Sequence, residues 1–381
     1  MNARRSLLVV PNHSMVIEGD LLRIEWAEAE LLRAVRERFA FAGIAAFVEG
    51  GNNSSLAGSV PRAHAASHRL NQLDHSRSRL ARLINYVGAA ATLPFVLCRY
   101  DLLYIFCPGH CGLLAACWAR LLGRPYGLYV RGTWLSGRAE TAYWWRWVFR
   151  GATFMIATGE SFRRRLSRYC SQVVNEVPLT ELRPCNTHAC RRATRSAATR
   201  LLFAGRLAES KGIYDVVRAL ALLRGEGRDV TLTIAGGGVQ AELRALDELQ
   251  ELLGVRAAVE ILGHVPPARL TEVYRDSDLF VFPSYFAEGF PRVLYEAMMF
   301  GLPIVTCQMP GTDGFLVDNS NCLYCQPCDP QALAACLRRL LDDAVCRERL
   351  GSRARADVES LYESFVDTSH AEQLLRFAGC T

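Results

Sequence analysis

Lysine is almost absent from this sequence, since only one of its 44 basic residues, Lys211, is not an arginine. Long apolar runs are absent too, and none reaches the roughly 18 residues that a membrane-spanning helix needs. The apolar run in the first stretch, MNARRSLLVVPNHS, is shorter than a signal-peptide core and predicts a buried first strand instead. These absences favour a cytoplasmic protein, in which the 14 cysteines are expected to be free thiols.

The chain of 381 residues exceeds one ordinary hydrophobic core, so two domains are expected. Half of the residues are hydrophobic and 22% are charged, as in a globular protein. Residues 1–199 carry 26 positive and 13 negative side chains, whereas residues 200–381 carry 18 and 25. The difference favours a domain boundary near residue 199 and a first half that meets something anionic. A solvated basic surface in an arginine-rich protein is the alternative.

Clustered cysteines raise the question of a metal site. Cys322, Cys325 and Cys328 form two consecutive CxxC steps, and Cys107 and Cys111 flank the residues PGH. The first group has no fourth ligand at a recognised spacing, and the second is interpreted in the same way. The sequence CLYCQPC instead predicts a short strand followed by a turn. Buried or turn thiols are therefore expected, and no metal.

Strand and helix patterns alternate in both halves. In the second half, strands are predicted at 200–205, 230–236, 259–265, 278–284 and 302–307. Helices are predicted at 213–224, 239–254, 267–277, 291–301 and 331–343. In the first half, strands are predicted at 6–10, 44–48, 101–106, 126–130 and 153–158, with helices between them. Such alternation is typical of parallel sheets covered by helices on both faces.

The α/β pattern predicts two doubly wound, Rossmann-like domains. We expect a first domain at 1–185, a linker at 186–199, a second domain at 200–362 and a C-terminal helix at 363–381 that packs back toward the first domain. Ligands bind such sheets outside the carboxyl ends of the strands, at the point where the strand order reverses. The cleft between two facing domains is the expected site.

The stretch FAEGFPRVLYEAMMFGLP places two carboxylates around a predicted helix start. Glu288 lies in the loop that follows a strand, and Pro291 suits the first turn of the helix. Gly289 and Phe290 would offer backbone N–H groups with the positive end of the helix behind them. Glu296 lies further along the helix and needs a partner if buried, for which ribose or sugar hydroxyls are good donors.

The stretch GRLAESKG supplies two cations after another strand. Arg206 and Lys211 are five residues apart across a turn, so both can converge on one polyanion. Lys211 keeps a compact ammonium in a chain that otherwise uses arginine, and phosphate sites often use such a point charge. Carboxylates for hydroxyl groups, together with cations for a diphosphate, describe a nucleotide-sugar site.

The order of GRL…KG followed by EGFPxVLYEAM…GLPIV resembles the retaining glycosyltransferases of family 4, which have the GT-B fold. The resemblance covers nearly all of 200–345. It implies that Arg206 and Lys211 hold the donor's diphosphate, that Glu288 contacts the donor sugar and that Glu296 holds the ribose. It also implies that the loop of Gly263, His264 and Val265 lies against the base. Further donor contacts are implied at Gly205, Gly289, Phe290, Pro291 and Leu294.

The first half resembles the family less closely. RPYGLYVRGTW is similar to a strand and loop of polysaccharide-assembling members, although Arg131 stands where many members have a histidine. His110, after the strand DLLYIF, is a possible substitute at a strand's carboxyl end, and a structural histidine is the alternative. The loop after the first strand offers only Gly19. Gly19, His110 and Arg131 are therefore the predicted acceptor side.

The predicted chemistry uses no cofactor and no metal. Asp276 and Asp278 could be mistaken for a metal-binding DxD, but an aspartate there is expected to end the preceding helix. Protein cations and a helix N-terminus can neutralise a leaving diphosphate without Mg²⁺. The resemblance implies retention of anomeric configuration. Front-face attack, with the leaving phosphate oxygen taking the acceptor's proton, then needs no protein nucleophile.

The acceptor side carries the sequence TAYWWRWVFR. In helical register Trp144, Trp147 and Val148 share a face, which predicts either a core-facing helix or an interfacial helix on anionic lipid. With the basic first half, the second interpretation favours a lipid-linked saccharide acceptor at the cytoplasmic leaflet, in cell-surface polysaccharide assembly. No nucleic-acid partner is expected.

Two other classes stay open. One is a GT-B nucleotide-sugar epimerase, which would release nucleotide without a glycoside product. The other is a non-catalytic partner that binds a nucleotide sugar, although such a partner has no need of all four charged residues. The expected donor is a UDP- or GDP-linked sugar.

Overall fold

Two parallel sheets, one in each half of the chain, organise the structure, which is a computed structural model. Its chain divides into two compact units. Unit 1 comprises Met1–Thr158, Phe162–Glu176 and Val366–Thr381, and unit 2 comprises Gly159–Ser161 and Val177–Phe365. The structure describes residues 5–11, 15–24, 26–36, 39–49, 58–73, 79–107, 109–130, 143–176, 198–286, 289–366 and 370–378.

Unit 1 is built on a parallel sheet with a small antiparallel sheet beside it. Its strands are β1 (Ser6–Val10), β2 (Val16–Glu18), β3 (Leu21–Ile24), β4 (Phe41–Glu49), β5 (Gly58–Pro61), β6 (Ala66–Leu73), β7 (Leu102–Cys107), β8 (Tyr126–Val130), β9 (Phe154–Thr158) and β10 (Val173–Glu176). The parallel sheet has the order β10-β9-β8-β7-β1-β4-β6, and β2, β3 and β5 form the antiparallel sheet. The chain therefore reverses its direction of travel across the large sheet between β1 and β7.

Continuous apolar runs explain the central strands of this sheet. Every residue of β7, β8 and β9 is buried, as expected for parallel strands that are covered on both faces. The helices that follow along the chain are α1 (Trp26–Val35), α2 (Arg79–Leu97), α3 (His110–Leu121), α4 (Tyr143–Gly151) and α5 (Glu160–Leu166). Helices α2, α3 and α4 share one core cluster on one face of the sheet, whereas α1 packs in a second cluster.

All five strands predicted in the first half are present, but β6, β10 and the small sheet were not predicted. The edge strand β6 reads ASHRLNQL, in which polar residues hide the alternation that identifies a strand. Gly19 lies in the hairpin turn between the antiparallel β2 and β3, with a φ of 55°. The segment after β1 therefore runs on through a hairpin.

Unit 2 has six strands in one parallel sheet. They are β11 (Thr199–Ala204), β12 (Val230–Ala235), β13 (Val259–Gly263), β14 (Leu279–Phe282), β15 (Ile304–Thr306) and β16 (Leu323–Tyr324). Their order is β13-β12-β11-β14-β15-β16, so the strand order reverses between β11 and β14. The helices are α6 (Ile213–Gly225), α7 (Gln240–Leu252), α8 (Pro267–Arg275), α9 (Arg292–Met299), α10 (Pro330–Asp342) and α11 (Ala344–Val366).

Every strand and helix predicted in the second half is present in unit 2, with ends that differ by a few residues. Helix α9 stops where Gly301 takes a φ of 63° and donates its N–H to the carbonyl oxygen of Met298 (2.9 Å). The short strand β16 matches the strand that was predicted from CLYCQPC. The hydrophobic periodicity of the sequence thus predicts the strands and helices of this unit.

The last helix, α12 (His370–Ala378), belongs to unit 1. Leu374 and Leu375 are buried, and the ring of Phe377 stacks on Phe154 with centroids 4.1 Å apart. The linker predicted at 186–199 lies almost wholly outside the described residues and stays a prediction. None of the helices in the described ranges is long and apolar enough to cross a bilayer.

Candidate functional site

At the carboxyl edge of the unit 2 sheet, the backbones of the loops after β11 and β12 are in direct contact. The N–H of Gly205 donates to the carbonyl oxygen of Ala235, and that of Leu207 donates to Gly237, both at 2.9 Å. A Cβ atom at Gly236 would overlap the carbonyl oxygen of Gly205. The φ angles of Gly205 (143°) and Gly236 (157°) also lie in the region that favours glycine. The predicted Gly205 therefore serves the close approach of two loops.

The GRLAESKG loop is also fixed to the loop after β14, on the other side of the strand-order reversal. The carbonyl oxygen of Ser210 accepts hydrogen bonds from the N–H of Tyr285 (3.1 Å) and the hydroxyl of Ser284 (3.3 Å). Gly212 has a φ of 74°, and a Cβ there would collide with the carbonyl oxygen of Pro283. The hydrogen bond between Ser284 and Ser210 joins residues 74 positions apart in sequence, at the position where doubly wound sheets bind ligands.

Lys211 lies at this junction, partly buried among aromatic rings. Its Nζ atom is 5.1 Å from the ring centroid of Phe286 and 6.0 Å from that of Phe282. Burial, and after it the charge of Arg206, lowers the pKa of Lys211 from 10.5 to about 8. The side chain of Arg206 is exposed. An anion would stabilise the charged form of a partly buried ammonium that lies near a second cation.

The start of α9 completes this edge. Gly289, Phe290 and Pro291 are buried immediately before the helix, and Pro291 is its N-cap, one residue earlier than the first turn that the sequence predicts. A Cβ at Gly311, in the loop after β15, would overlap the backbone of Gly289. Loops from β11, β14 and β15 therefore converge here. Glu288 lies outside the described residues, so its predicted contact with a donor sugar stays a prediction.

Glu296 is buried in α9, with 8% of its surface exposed. The hydroxyl of Tyr274, itself fully buried in α8, donates to Oε2 of Glu296 at 3.0 Å. The ring of Tyr274 stacks on Phe300 with centroids 5.1 Å apart, which fixes the position of the hydroxyl. Burial and the Glu296 carboxylate both raise the pKa of Tyr274, so the phenol stays protonated and acts as the donor.

The other predicted donor residues divide into edge and core positions. Gly263 ends β13 with a φ of 67° and bridges to Gly236, which brings its loop to the same edge. His264 is exposed in this loop and Val265 is half-buried. Leu294 is fully buried, and its N–H donates to the carbonyl oxygen of Pro291 (3.0 Å), so its side chain serves packing. The ring of Phe290 is also in the core.

Asp276 and Asp278 lie at the opposite edge of the sheet. Asp276 is the C-cap of α8, as expected of an aspartate that ends a helix. Asp278 precedes β14, and its Oδ2 accepts a hydrogen bond from the N–H of Arg200 (2.8 Å) at the start of β11. These positions are at the amino ends of the strands, whereas the converging loops are at the carboxyl ends. Asp278 therefore joins two strands, and Asp276 ends a helix.

Within the described ranges, the predicted acceptor residues of unit 1 are not found at one site. Gly19 is in a hairpin turn, and Arg131 lies outside the described residues. His110 begins α3, after β7, and its exposed ring packs against Tyr86 with centroids 5.5 Å apart. The loop after β7 borders the reversal of strand order between β1 and β7, so His110 has the right position for a ligand contact. Its predicted role stays a prediction.

The tryptophan-rich helix α4 does not present the face predicted for it. Trp145, Val148 and Phe149 form the buried face, whereas Trp144 is 64% exposed. Trp147 is half-buried, and the guanidinium of Arg120 lies 4.5 Å from its ring centroid. The expectation that Trp144, Trp147 and Val148 share one face is wrong, because the register places Trp145 in the core.

Helices α2, α3 and α4 together form a surface that we name the basic helix layer. None of the residues in these three helices is aspartate or glutamate, and the layer contains Arg120, Arg146 and Arg150. Its exposed apolar side chains include Ile84, Val87, Phe95, Leu121, Tyr143 and Trp144. Large exposed apolar side chains interspersed with arginines are typical of interfaces with anionic apolar partners.

The cysteines behave as free thiols where the structure describes them. Within the described ranges there is no group of three His, Cys, Asp or Glu side chains that could hold a metal. Cys107, Cys111 and Cys322 are buried, and Cys328 is exposed. Cys325 contacts a cysteine that the CxxC pattern does not include, Cys307.

Sequence reasoning missed Tyr274, Ser210 and Gly212. A signal for Tyr274 was present, because a buried glutamate requires a donor and YRDS ends the helix before β14. Ser210 and Gly212 act through backbone contacts between loops, for which the sequence contains no comparable signal.

Known proteins resemble both the second half and the whole fold. Residues 192–357 match the family of glycosyl transferases group 1. Glycogen synthase of Mycobacterium tuberculosis is 34% identical over 174 residues, which cover 46% of this chain and 41% of that protein. The capsular polysaccharide biosynthesis glycosyltransferase CapM of Staphylococcus aureus is 26% identical over 173 residues, covering 45% and 44%. The chain thus spans about two fifths of the length of these curated relatives.

Two solved structures resemble the chain over nearly its full length. Sucrose-phosphate synthase of Thermosynechococcus elongatus has a TM-score of 0.72 at 18% identity and covers 98% of both chains. HepE from Anabaena, solved in complex with UDP, has a TM-score of 0.67 at 18% identity and covers 96% of this chain and 99% of that one. Residues 192–357 form a glycosyltransferase group 1 domain, and the predicted α/β fold class, that of the GT-B glycosyltransferases, is confirmed.

Proposed function

We propose that this protein is a retaining, metal-independent glycosyltransferase that moves a sugar from a nucleoside-diphosphate donor to a hydroxyl group of a saccharide. The observation that carries the proposal is the junction at Lys211. There a partly buried ammonium with a lowered pKa lies where the loops after β11 and β14 are hydrogen-bonded together. This junction is at the strand-order reversal of a group 1 domain.

Each part of the donor is assigned to residues at the carboxyl edge of the unit 2 sheet. Arg206 and Lys211 hold the diphosphate, and the start of α9 adds the positive end of a helix. Glu296 accepts hydrogen bonds from the ribose hydroxyls, with its carboxylate held by Tyr274. The loop after β13 contacts the base, and Glu288 contacts the sugar. HepE was solved with UDP and with UDP-glucose, which supports a UDP-linked donor, and a GDP-linked donor fits the same chemistry.

The chemistry needs a group that neutralises the leaving diphosphate as the glycosidic bond breaks. Arg206 and Lys211 supply two positive charges without reorganisation, and this preorganised stabilisation replaces a divalent cation. In front-face attack the acceptor's hydroxyl proton passes to the leaving phosphate oxygen as the new glycosidic bond forms. The configuration at the anomeric carbon is then retained, and Glu288 positions the sugar instead of attacking it.

The acceptor is a lipid-linked saccharide, presented at the cytoplasmic leaflet during cell-surface polysaccharide assembly. CapM, a relative, is named for capsular polysaccharide biosynthesis. The basic helix layer supports the membrane part of the proposal, because arginines attract anionic headgroups while exposed apolar side chains enter the interface. The protein would then be a cytoplasmic, peripheral membrane enzyme.

A thermal-shift panel of UDP-, GDP- and ADP-sugars tests the donor assignment. We expect one nucleotide class to raise the melting temperature of the wild type, because ligand binding to the folded state stabilises it. Lys211→Met should abolish the shift. Arg353→Met is the matched control, since Arg353 forms an exposed i,i+4 ion pair on α11. A shift that survives Lys211→Met would contradict the assignment.

Product analysis separates the proposal from its alternatives. Transfer of the sugar to a saccharide acceptor, with the anomeric configuration retained by NMR, is the expected result. Release of nucleotide with no glycoside would indicate an epimerase. Donor binding with no turnover on any of a panel of saccharide and lipid-linked acceptors would indicate a non-catalytic binding partner.

A further inference from the structure

Two buried cysteines face each other at the carboxyl edge of unit 2. Cys307 directly follows β15, and Cys325 directly follows β16. The strands pair in parallel with Val305 opposite Leu323 and Thr306 opposite Tyr324, so Cys307 and Cys325 come next in register. Their Sγ atoms are 3.7 Å apart.

The pairing of the two strands places these cysteines in the usual range for a disulfide. Neighbouring strands lie about 4.7–4.9 Å apart, and disulfide Cα atoms are usually about 4.4–6.8 Å apart. The Sγ atom of Cys325 also lies 3.5 Å from the carbonyl oxygen of Thr306, which keeps it between the two strands. Rotation of the two side chains would bring the sulfurs to bonding distance.

The buried pair is a poor first nucleophile. The contact with Cys307, and after it burial, strongly raises the pKa of Cys325. Cys307 and Cys325 are also buried and out of reach of an external disulfide, so oxidation must begin at a more accessible thiol.

Cys328 is such a thiol. It is exposed, and it completes a CxxC spacing with Cys325 in the turn that leads to α10. Its backbone has a φ of 55°, and its thiol hydrogen-bonds with the side chain of Tyr285. The CxxC spacing is typical of dithiols that exchange disulfides.

We propose that Cys307, Cys325 and Cys328 form a thiol–disulfide exchange site, in which exposed Cys328 passes oxidation from a low-molecular-weight disulfide to the buried Cys307–Cys325 pair. Cys328 attacks the small disulfide, forming a mixed disulfide and releasing one small thiol. Cys325 attacks Sγ of Cys328 and releases the second small thiol. Cys307 then attacks Sγ of Cys325, and Cys328 leaves as a thiol. Two protein thiols and one disulfide thus give one protein disulfide and two small thiols.

The test treats the reduced full chain with oxidised glutathione, alkylates the remaining thiols and maps disulfides by peptide mass spectrometry. We expect a Cys307–Cys325 cross-link that dithiothreitol reverses. Cys328→Ser should slow its formation by about tenfold or more, because the accessible thiol is lost. Cys325→Ser should leave glutathione attached to Cys328 and no bond to Cys307.

Two controls make the result decisive. Cys322→Ser alters a buried cysteine at the start of the same segment, and it should not change the rate or the product. Cys98, exposed in unit 1, should form a mixed disulfide and so show that the reagent is active. Modified Cys98 and Cys328 without a Cys307–Cys325 bond would overturn the proposal. So would a Cys325–Cys336 bond in its place, or wild-type kinetics in the Cys328→Ser variant.

Discussion

The two units share one sheet architecture but use its reversal point differently. In unit 2 the loops on both sides of the reversal are joined by hydrogen bonds to Ser210, and a partly buried lysine lies at the junction. In unit 1 His110 lies after β7, next to the reversal, and Arg120, Arg146 and Arg150 lie on the basic helix layer. The proposed function accordingly assigns a small anion to unit 2 and a large anionic surface to unit 1.

Removal of Lys211 should have the largest effect on activity, because the contrast between the two units depends most on this side chain. We expect Lys211→Met to lower kcat/KM about 100- to 1,000-fold, as for the loss of one electrostatic group at a developing charge. Lys211→Arg should restore activity only in part, because a planar fork does not replace a point charge. Steady-state kinetics with the identified donor provide the measurement. Wild-type turnover by Lys211→Met would place the diphosphate elsewhere.

The pH dependence of donor affinity should follow the same lysine. With a pKa of about 8, Lys211 loses its charge above that pH, and affinity should fall by up to about tenfold per pH unit. The stability of the unliganded protein should change in the opposite sense. Between pH 8 and 10.5 the unfolded state binds more protons at this side chain, so stability rises with pH. Calorimetric titration and denaturant unfolding across this range, with Lys211→Met as the control, measure both trends.

Tyr274→Phe should give a smaller effect, confined to unit 2. The variant keeps the stacked ring but removes a donor to the buried carboxylate of Glu296, at a cost of about 1–2 kcal/mol. We expect a lower melting temperature and a higher donor KM, with a smaller change in kcat. Tyr214→Phe is the matched control, because its hydroxyl makes only a 3.5 Å contact with the carbonyl oxygen of Glu242. Equal effects of the two substitutions would show that the Tyr274 hydroxyl does not position Glu296.

Vesicle binding tests the proposed role of unit 1 at a membrane. Binding to anionic vesicles should fall steeply with salt, because basic residues near the surface contribute about 1 kcal/mol each and are screened. Exchange of the exposed Phe95 and Trp144 for Ser should remove the salt-resistant part and leave donor binding unchanged. Leu252→Ser, at an 83% exposed position of unit 2, is the control. Equal binding to neutral and anionic vesicles at low salt would contradict the assignment.

The smallest expected effect is that of metal removal. Activity should survive EDTA, because Arg206 and Lys211 perform the electrostatic work of a divalent cation. Complete loss of activity in EDTA, restored by Mg²⁺ or Mn²⁺, would show that protein cations are insufficient.

The strands and helices of unit 2 could be predicted from sequence because hydrophobic periodicity and glycine positions agree there. The edge strand β6 could not, since polar residues interrupt its alternation. Of the candidate site, Arg206, Lys211 and Glu296 follow from charge and spacing in the sequence. The hydroxyl of Tyr274 and the backbone contacts of Ser210 do not, because they depend on which loops meet in three dimensions. The register of α4 was wrong for a similar reason, since packing against the sheet chose Trp145 for the core.

The central claim is that unit 2 binds a nucleoside diphosphate at the junction of its β11 and β14 loops. Hydrogen exchange of the full chain with and without saturating UDP, and separately GDP, tests it most directly. We predict that one of the two nucleotides slows exchange in residues 205–212 and 284–296 and leaves the basic helix layer unchanged. Binding with protection confined to unit 1, or no binding by either nucleotide, would contradict the claim.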